Sequence, residues 1–377
     1  MMKTPLEILL GSKGGHGPSP RDIMACLGMF PLAGSKKGDR AEIERVYVGT
    51  YNLAQGVPTV ISRDILVGDP WLALRLNLKG SLTGAAGVAG TPVADSPLPL
   101  WSLALTTDLD RDVIEASVEA RALYRYAQLL NSVPGAITAA VLPGVGLTTS
   151  FNVVLTVPFV DPKLKVPMDT VLDTRRYQTM TLTINSGTLA NLVSGAANLT
   201  LNQLSVDIEI VRVSPRVPLP LNVAKVLPFF KRFAPLTPPA DTSVNLDKIP
   251  TLAYKRIAFF CSTGATAGAP FTGAGDNTIL SGLRVFSNLR DHFGSASGSV
   301  PQALIQAGNG EDYEIPSWPA GWNVVDFVLD RSIWSSLASG DKSVLQAILA
   351  YQASLPATPQ VSVFAAGLQK LRGKEGV

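Results

Sequence analysis

The sequence predicts an all-β chain built as two β units, and three observations carry that prediction. Apolar residues recur at every second position in run after run, turn-forming Gly, Pro, Asn and Asp separate the runs, and 377 residues suffice for two to three domains of ordinary size. A period of two places one face of each strand in a core, as a sandwich or a barrel requires.

Residues 1–45 read as an N-terminal arm. Gly-rich SKGGHGPSP (12–20) and LAGSKKGDR (32–40) flank DIMACLGMF (22–30), an apolar patch too short to hold a core of its own but suited to docking on a surface. The first unit, 46–214, has its clearest strand in WLALRLNLKGSL (71–82), where Leu72, Leu74, Leu76 and Leu78 alternate with Ala73, Arg75, Asn77 and Lys79. One segment, about 108–130, departs from the period of two. Ile114, Val118, Ala122 and Tyr126 recur at helical spacing, with Asp108, Asp110 and Asp112 at the front and Arg121 and Arg125 toward the back, as the helix dipole favours. The spacing predicts an inserted surface helix with its charged face in water. Alternation returns with Phe151, Val153, Leu155, Val157 and Phe159, then Met180, Leu182 and Ile184, then Leu204, Val206, Ile208 and Ile210. It breaks at Val211, where a bulge or the end of the sheet is expected.

Between Arg212 and Arg256 lie eight prolines and eight Lys or Arg against only Asp241 and Asp247. Proline removes a ladder donor, so residues 215–250 read as a basic, Pro-rich linker with polyproline-like stiffness. Inside it, VLPFFKRF (226–233) sets Phe229, Phe230 and Phe233 beside Lys225, Lys231 and Arg232. That mixture suits a phospholipid headgroup layer or an acidic neighbour. More simply, the rings plug a groove between two sandwiches while the cations stay in water. A second unit, 251–377 with a short C-terminal tail, offers the strands AYKRIAFFCSTG, TILSGLRVFSN, GWNVVDFVLD and PQVSVFAAGL. LQAILAYQASL (345–355) fits both periods and is read as a strand, because the run after it needs a partner.

Composition narrows the function. Charged residues are 16% of the chain, the mean hydropathy is +0.24, and 32 Lys plus Arg against 29 Asp plus Glu leave a net charge of +3. Such a surplus over such a length argues against bulk or sequence-specific nucleic-acid binding, and so uncharged an exterior calls for covering by copies or partners. Two cysteines, Cys26 and Cys261, and two histidines, His16 and His292, supply neither a disulfide framework nor a zinc site. No signal peptide and no apolar run of about 18 residues is expected.

A catalytic constellation is not legible either. Neither a nucleophile elbow nor a Walker loop occurs, and His292 sits in the polar loop DHFGSASGS. Glu311, Asp312 and Glu314, followed by Trp318 and Trp322, are the remaining enzymatic option, as paired carboxylates beside sugar platforms. An exposed acidic loop ahead of a buried Trp explains the same residues. The densest polar stretch runs from 161 to 188. There Asp161, Asp169 and Asp173 face Lys163, Lys165, Arg175 and Arg176, with Tyr177 next in line. Two-pronged Arg–carboxylate clamps make such a loop rigid without regular structure, suiting a crossover or an intersubunit lock.

The succession VPFVDPKLKVPMDTVLDTRRYQTMTLTINSGT, then NTILSGLRVFSN, EDYEIPSWPAGWNVVDFVLD and PQVSVFAAGLQKL, resembles major capsid proteins of tailless, tectivirus-like icosahedral bacteriophages, which are often membrane-containing. The likeness spans roughly 45–215 and 250–371. It implies two jelly-roll β-sandwiches in tandem, a double jelly roll, with three subunits forming a pseudo-hexameric homotrimer that tiles an icosahedral shell. It also implies a virion protein made in the host cytoplasm that is no enzyme and takes no cofactor or metal. Its partners would be itself, minor capsid or vertex proteins, and an internal viral membrane reached through the arm or the basic linker. Asp169, Asp173, Arg175, Arg176, Tyr177, Phe229, Phe230, Lys231, Arg232 and Phe233 are the assembly or structural candidates. Two alternatives stand beside it: a carbohydrate-binding or glycoside-cleaving sandwich such as a phage spike, and a minor capsid protein of the same fold.

Overall fold

The computed structural model describes residues 43–62, 67–109, 112–130, 137–214, 226–247, 252–264, 271, 273–288, 290–295, 298–332, 336–338 and 345–370. The arm up to residue 42, residues 215–225 of the expected linker and the tail from 371 lie outside them.

The first part of the chain forms β1 Ile43–Leu53, β2 Pro58–Ile61, β3 Pro70–Pro92, β4 Trp101–Thr107, β5 Ile114–Glu119, helix α1 Ala120–Leu129, β6 Ile137–Thr138, β7 Thr148–Pro158, β8 Leu172–Asp173, β9 Met180–Ser186, β10 Val193–Leu201 and β11 Leu204–Val213. The rest forms β12 Val226–Arg232, β13 Ser243–Asn245, β14 Leu252–Thr263, β15 Ala274–Gly275, β16 Leu280–Ser287, β17 Arg290–Phe293, β18 Val300–Pro301, helix α2 Gln302–Asp312, β19 Trp322–Asp326, β20 Leu337–Ala338, β21 Leu345–Tyr351 and β22 Pro359–Lys370.

These strands close into three sheets. One has the order β1-β11-β3-β7-β6, with β8 and β10 also on β3; a small one runs β13-β21-β16-β17, with β18 on β16. The third, β15-β14-β22-β12-β5-β4-β9-β2 with β19 and β20 on β14, is shared by both halves of the chain. Its β5-β4-β9-β2 end packs under the first sheet. Leu74, Leu76, Leu78, Leu155 and Ile208 meet Leu103, Leu105, Leu182 and Ile184 there in one buried core. At the other end Ile257, Phe259, Val361 and Val363 meet Leu283, Val285, Ala347 and Leu349 in a second core. The period of two in the sequence is thus the alternation between core and outer face in two sandwiches.

The strand expected over 71–82 continues to Pro92, because β10 takes over from β11 as its partner on the edge opposite β7. The register of β11 against β3 slips between Val211 and Arg212, where the alternation breaks. Residues 345–351 are a strand, paired with β16.

Two expectations need correcting. The helix is Ala120–Leu129 alone, and residues 114–119 are strand β5, paired with β4. Pairing through Ile114 and Val118, β-branched and buried on the core face, overrides the helical spacing. Nor does α1 lie on the surface: Arg121 is 3% exposed, and Ala122, Leu123, Tyr126 and Leu129 are buried. The expected linker is also partly strand, since β12 lies between β22 and β5. Pro228 is tolerated there because β12 has a full ladder only with β22 and touches β5 at one pair, Phe230 with Ile114. Helix α2 was not anticipated. It packs Ile305 into the second core, and the Asn309 side chain exchanges 2.9 Å hydrogen bonds with both backbone groups of Val324, standing in for a strand partner of β19.

Candidate functional site: the buried seam between the sandwiches

The densest buried chemistry of the molecule lies where the two sandwiches share their long sheet. Strict alternation would send the neighbours Lys255 and Arg256 to opposite faces of β14. Tyr254 instead pairs with Gly367 and Arg256 with Ala366, so Lys255 is the extra residue of a bulge, and both cations reach the same carboxylate. That carboxylate is Asp161, in the loop after β7 of the first sandwich. Its Oδ2 accepts from Lys255 Nζ at 3.1 Å and from Arg256 Nη1 at 2.6 Å, and none of the three side chains is more than 3% exposed. Arg256 Nε reaches Asp326 Oδ2 at 2.7 Å, and the Tyr313 hydroxyl donates to that oxygen at 2.5 Å.

Burial by itself would raise the Asp161 carboxyl, but the charges and hydrogen bonds of Arg256 and Lys255 outweigh it and hold the group well below the usual carboxylate range. Burial and the neighbouring Asp326 keep the Tyr313 hydroxyl protonated far above its ordinary range, despite Arg256. The same loop makes two more ties to the second sandwich. Lys163 Nζ stands 4.2 Å over the Tyr313 ring and donates to the carbonyl of Asp312, while Lys165 N donates to the carbonyl of Arg331 at 2.7 Å.

Helix α1 fills the rest of the seam. Arg121 donates to Asp95 Oδ2 at 2.7 Å and to the carbonyls of Phe271 and Gly273 at 2.9 and 2.7 Å, with its guanidinium 4.4 Å over the Phe260 ring. Phe260, Phe271 and Trp322 form one aromatic cluster, and Tyr126 meets Phe230 edge-on at 5.3 Å and Phe364 at 5.9 Å.

The residues singled out from sequence fall into two groups. Phe229 and Phe230, adjacent on β12, point to opposite faces, Phe229 into the second core and Phe230 into the first, so the strand is pinned from both sides. Phe233 lies in the second core. The rings do fill the region between the sandwiches, but the cations do not stay free in water. Lys231 pairs with Asp247 and, at 3.5 Å, with Glu115, and Arg232 donates to Glu119 Oε1 at 2.5 Å. Burial outweighs Arg232 and pushes the Glu119 carboxyl up to about 7.

The second group sits at the base of the first sandwich. Arg175 clamps Asp173 two-pronged, Nε to Oδ1 at 2.7 Å and Nη2 to Oδ2 at 2.6 Å, next to the pairing of β8 with β3. Tyr177 is buried in the first core, Asp169 is buried in a short helical turn over Pro167–Thr170, and Arg176 is half-buried. Asp161 answers charges of the second sandwich rather than those of its own loop. The signal for that was present in the sequence: Lys255 and Arg256 interrupt the apolar run AYKRIAFF, and charges buried inside such a run need a counter-charge from elsewhere.

The chemistry left open is small. Glu311, Asp312 and Glu314 are exposed, whereas Trp322 is buried and Trp318 packs on Tyr313 and donates to the carbonyl of Trp322, so acids and rings do not share a groove. Ser287 Oγ lies 2.6 Å from His292 Nε2, but Ser287 is 3% exposed and out of reach of an acyl substrate. Among the described residues no group of three His, Cys, Asp or Glu gathers to hold a metal, and no helix is long and apolar enough to cross a membrane.

Two sandwiches on one shared sheet, with a helix and a charged loop sealing their junction, make this a tandem jelly-roll protein. No family model and no curated protein sequence matches the chain. Solved structures do. The chain is similar to the major capsid protein of STIV, Sulfolobus Turreted Icosahedral Virus, with TM-score 0.64 and 17% identity over 87% of this chain and 97% of that one. It is similar to the Faustovirus major capsid protein, TM-score 0.54 and 9% identity over 97% and 96%, and to the major capsid protein P2 of bacteriophage PM2, TM-score 0.51 and 11% identity over 89% and 100%. The fold they share with this chain is the double jelly roll.

Proposed function

We propose that the chain is a major capsid protein, a structural subunit of an icosahedral virion rather than an enzyme. The observation that carries this is fold likeness over nearly the whole length of both partners, so that both sandwiches and their connection are matched at once. A sealed seam supports it, because a tile must keep its two halves in fixed relation while its outer faces make contacts. Three copies would bring six sandwiches into a near-hexagonal block, and such blocks close a shell. The division into an arm over 1–45, a first jelly roll over 46–214 and a second over 251–377 belongs to the same proposal, with β12 as shared wall rather than spacer. Minor capsid proteins, and a membrane met through the arm, are the further partners it allows.

In this scheme Asp169, Asp173, Arg175, Arg176 and Tyr177 hold the base of the first sandwich, from which the loop crosses to the second. Replacing both Arg175 and Arg176 with Ala should lower the yield of trimer, and an unchanged yield removes them from assembly. The proposal as a whole is tested by electron microscopy and sedimentation of the purified chain. Three-copy blocks of hexagonal outline are expected, and a chain that stays single at every concentration overturns it.

A further inference from the structure

Three segments gathered at one end of the first sandwich carry no charge. Residues 83–92 of β3 and its turn, 137–150 and 193–202 contain no Asp, Glu, Lys or Arg, although ordinary surfaces carry roughly a quarter or more of these residues. The three segments touch one another. Gly84 donates to the carbonyl of Leu147 at 3.1 Å and accepts from Gly146 at 2.8 Å, and Asn198 Nδ2 donates to the carbonyl of Gly87 at 3.1 Å. A Cβ on Gly84 would strike Val88 and the carbonyls of Pro143 and Gly144. On this uncharged ground Val145 is 66% exposed, Leu147 63%, Val141 57% and Ile137 37%. Along its rim β10 has β3 as its one strand partner among the described residues, and on its other edge Gln55 Nε2 donates to the carbonyl of Leu201 at 2.5 Å while no described strand pairs with the rest.

We propose that this end is a contact surface between copies of this chain, resting on the capsid function argued above. Charge matching selects the occupant. Nucleic acid and anionic headgroups need cations, which the surface lacks. A lipid interior leaves the open β10 edge without hydrogen-bond partners, at several kcal/mol per group. A second copy brings neutral surface against neutral surface, with no like-charge repulsion, and backbone groups able to satisfy the edge. Exposed Ala85, Ala86 and Gly87 allow close approach.

The test uses the full chain carrying Val145→Glu with Leu147→Glu, and separately Ala86→Glu on the facing ribbon, followed by sedimentation across a concentration series. Each should raise the dissociation constant between copies at least tenfold with an unchanged far-ultraviolet circular dichroism spectrum, while neutral Val145→Thr should not. Because Ala86 lies on a different strand, a folding failure of the double variant leaves the second arm decisive. Association as strong as wild type in the Glu variants overturns the inference and leaves the capsid function standing, whereas a wild-type chain that never associates overturns the capsid function itself. Flotation of the wild type, but not of the Glu variants, with neutral phosphatidylcholine vesicles would identify lipid as the occupant and also overturn it.

Discussion

The seam and the uncharged end of the first sandwich reverse the usual placement of charge. At the seam the side chains of Asp161, Lys255, Arg256 and Asp326 are at most 4% exposed, while at the far end Val145 and Leu147 are more than half in water. Buried charges survive only where each finds a partner, and the bulge at Lys255 is what brings two cations to one carboxylate. Exposed aliphatics of this density mark a surface that is covered elsewhere. The difference teaches that the junction of the two sandwiches is complete within one chain, whereas the far end is not.

The comparison is broken most severely at Asp161. Asp161→Ala leaves buried Lys255 without a carboxylate, beside an Arg256 that keeps only Asp326, and should cost about 3–5 kcal/mol in urea unfolding of the subunit. Replacing Lys255 with Met as well should recover much of that loss, because the cation left without a carboxylate goes with it while Arg256 keeps Asp326. Next comes Phe230→Ala, which opens the wall between the cores and should cost about 3–4 kcal/mol in the same assay.

Glu119 sharpens the comparison through pH. Its carboxyl titrates at about 7 in the folded chain against 4.5 when free, so between those values the folded state binds more proton than the unfolded one. Stability should therefore fall as pH rises from 4.5 to 7, by at most about 3 kcal/mol, and Glu119→Gln should abolish the slope. Asp161 has the opposite sign. Its contribution is present above the ordinary carboxylate range and is lost only as pH falls through its lowered folded value. The smallest effect is expected of Arg175→Ala, whose pair with Asp173 is partly exposed: about 0.5–1 kcal/mol of subunit stability, read by thermal unfolding.

Particular residues mark how far the sequence was legible. The strands around Leu74, Val153, Leu182 and Ile208 were readable because one face meets a core and the other water, a contrast that a period of two records directly. Residues 114–119 were not, since Ile114, Val118, Ala122 and Tyr126 keep a helical spacing across a strand–helix boundary set by pairing with β4. The Arg175–Asp173 clamp was within reach because its partners are two residues apart. The partner of Lys255 and Arg256 was not, because Asp161 lies 94 and 95 residues away along the chain.

By itself, then, the order of residues determined that the chain is β, that it forms two units, that its surface is short of charge and that its aromatic VLPFFKRF stretch sits between the units. Those properties follow from local alternation and composition, which need no knowledge of what lies opposite. Only the tertiary structure decided that one sheet runs through both units, that α1 is buried, which carboxylate neutralises the paired cations and which end stands bare. Each of these depends on contacts between distant segments, and burial changes the energy of a charge by far more than any local preference does.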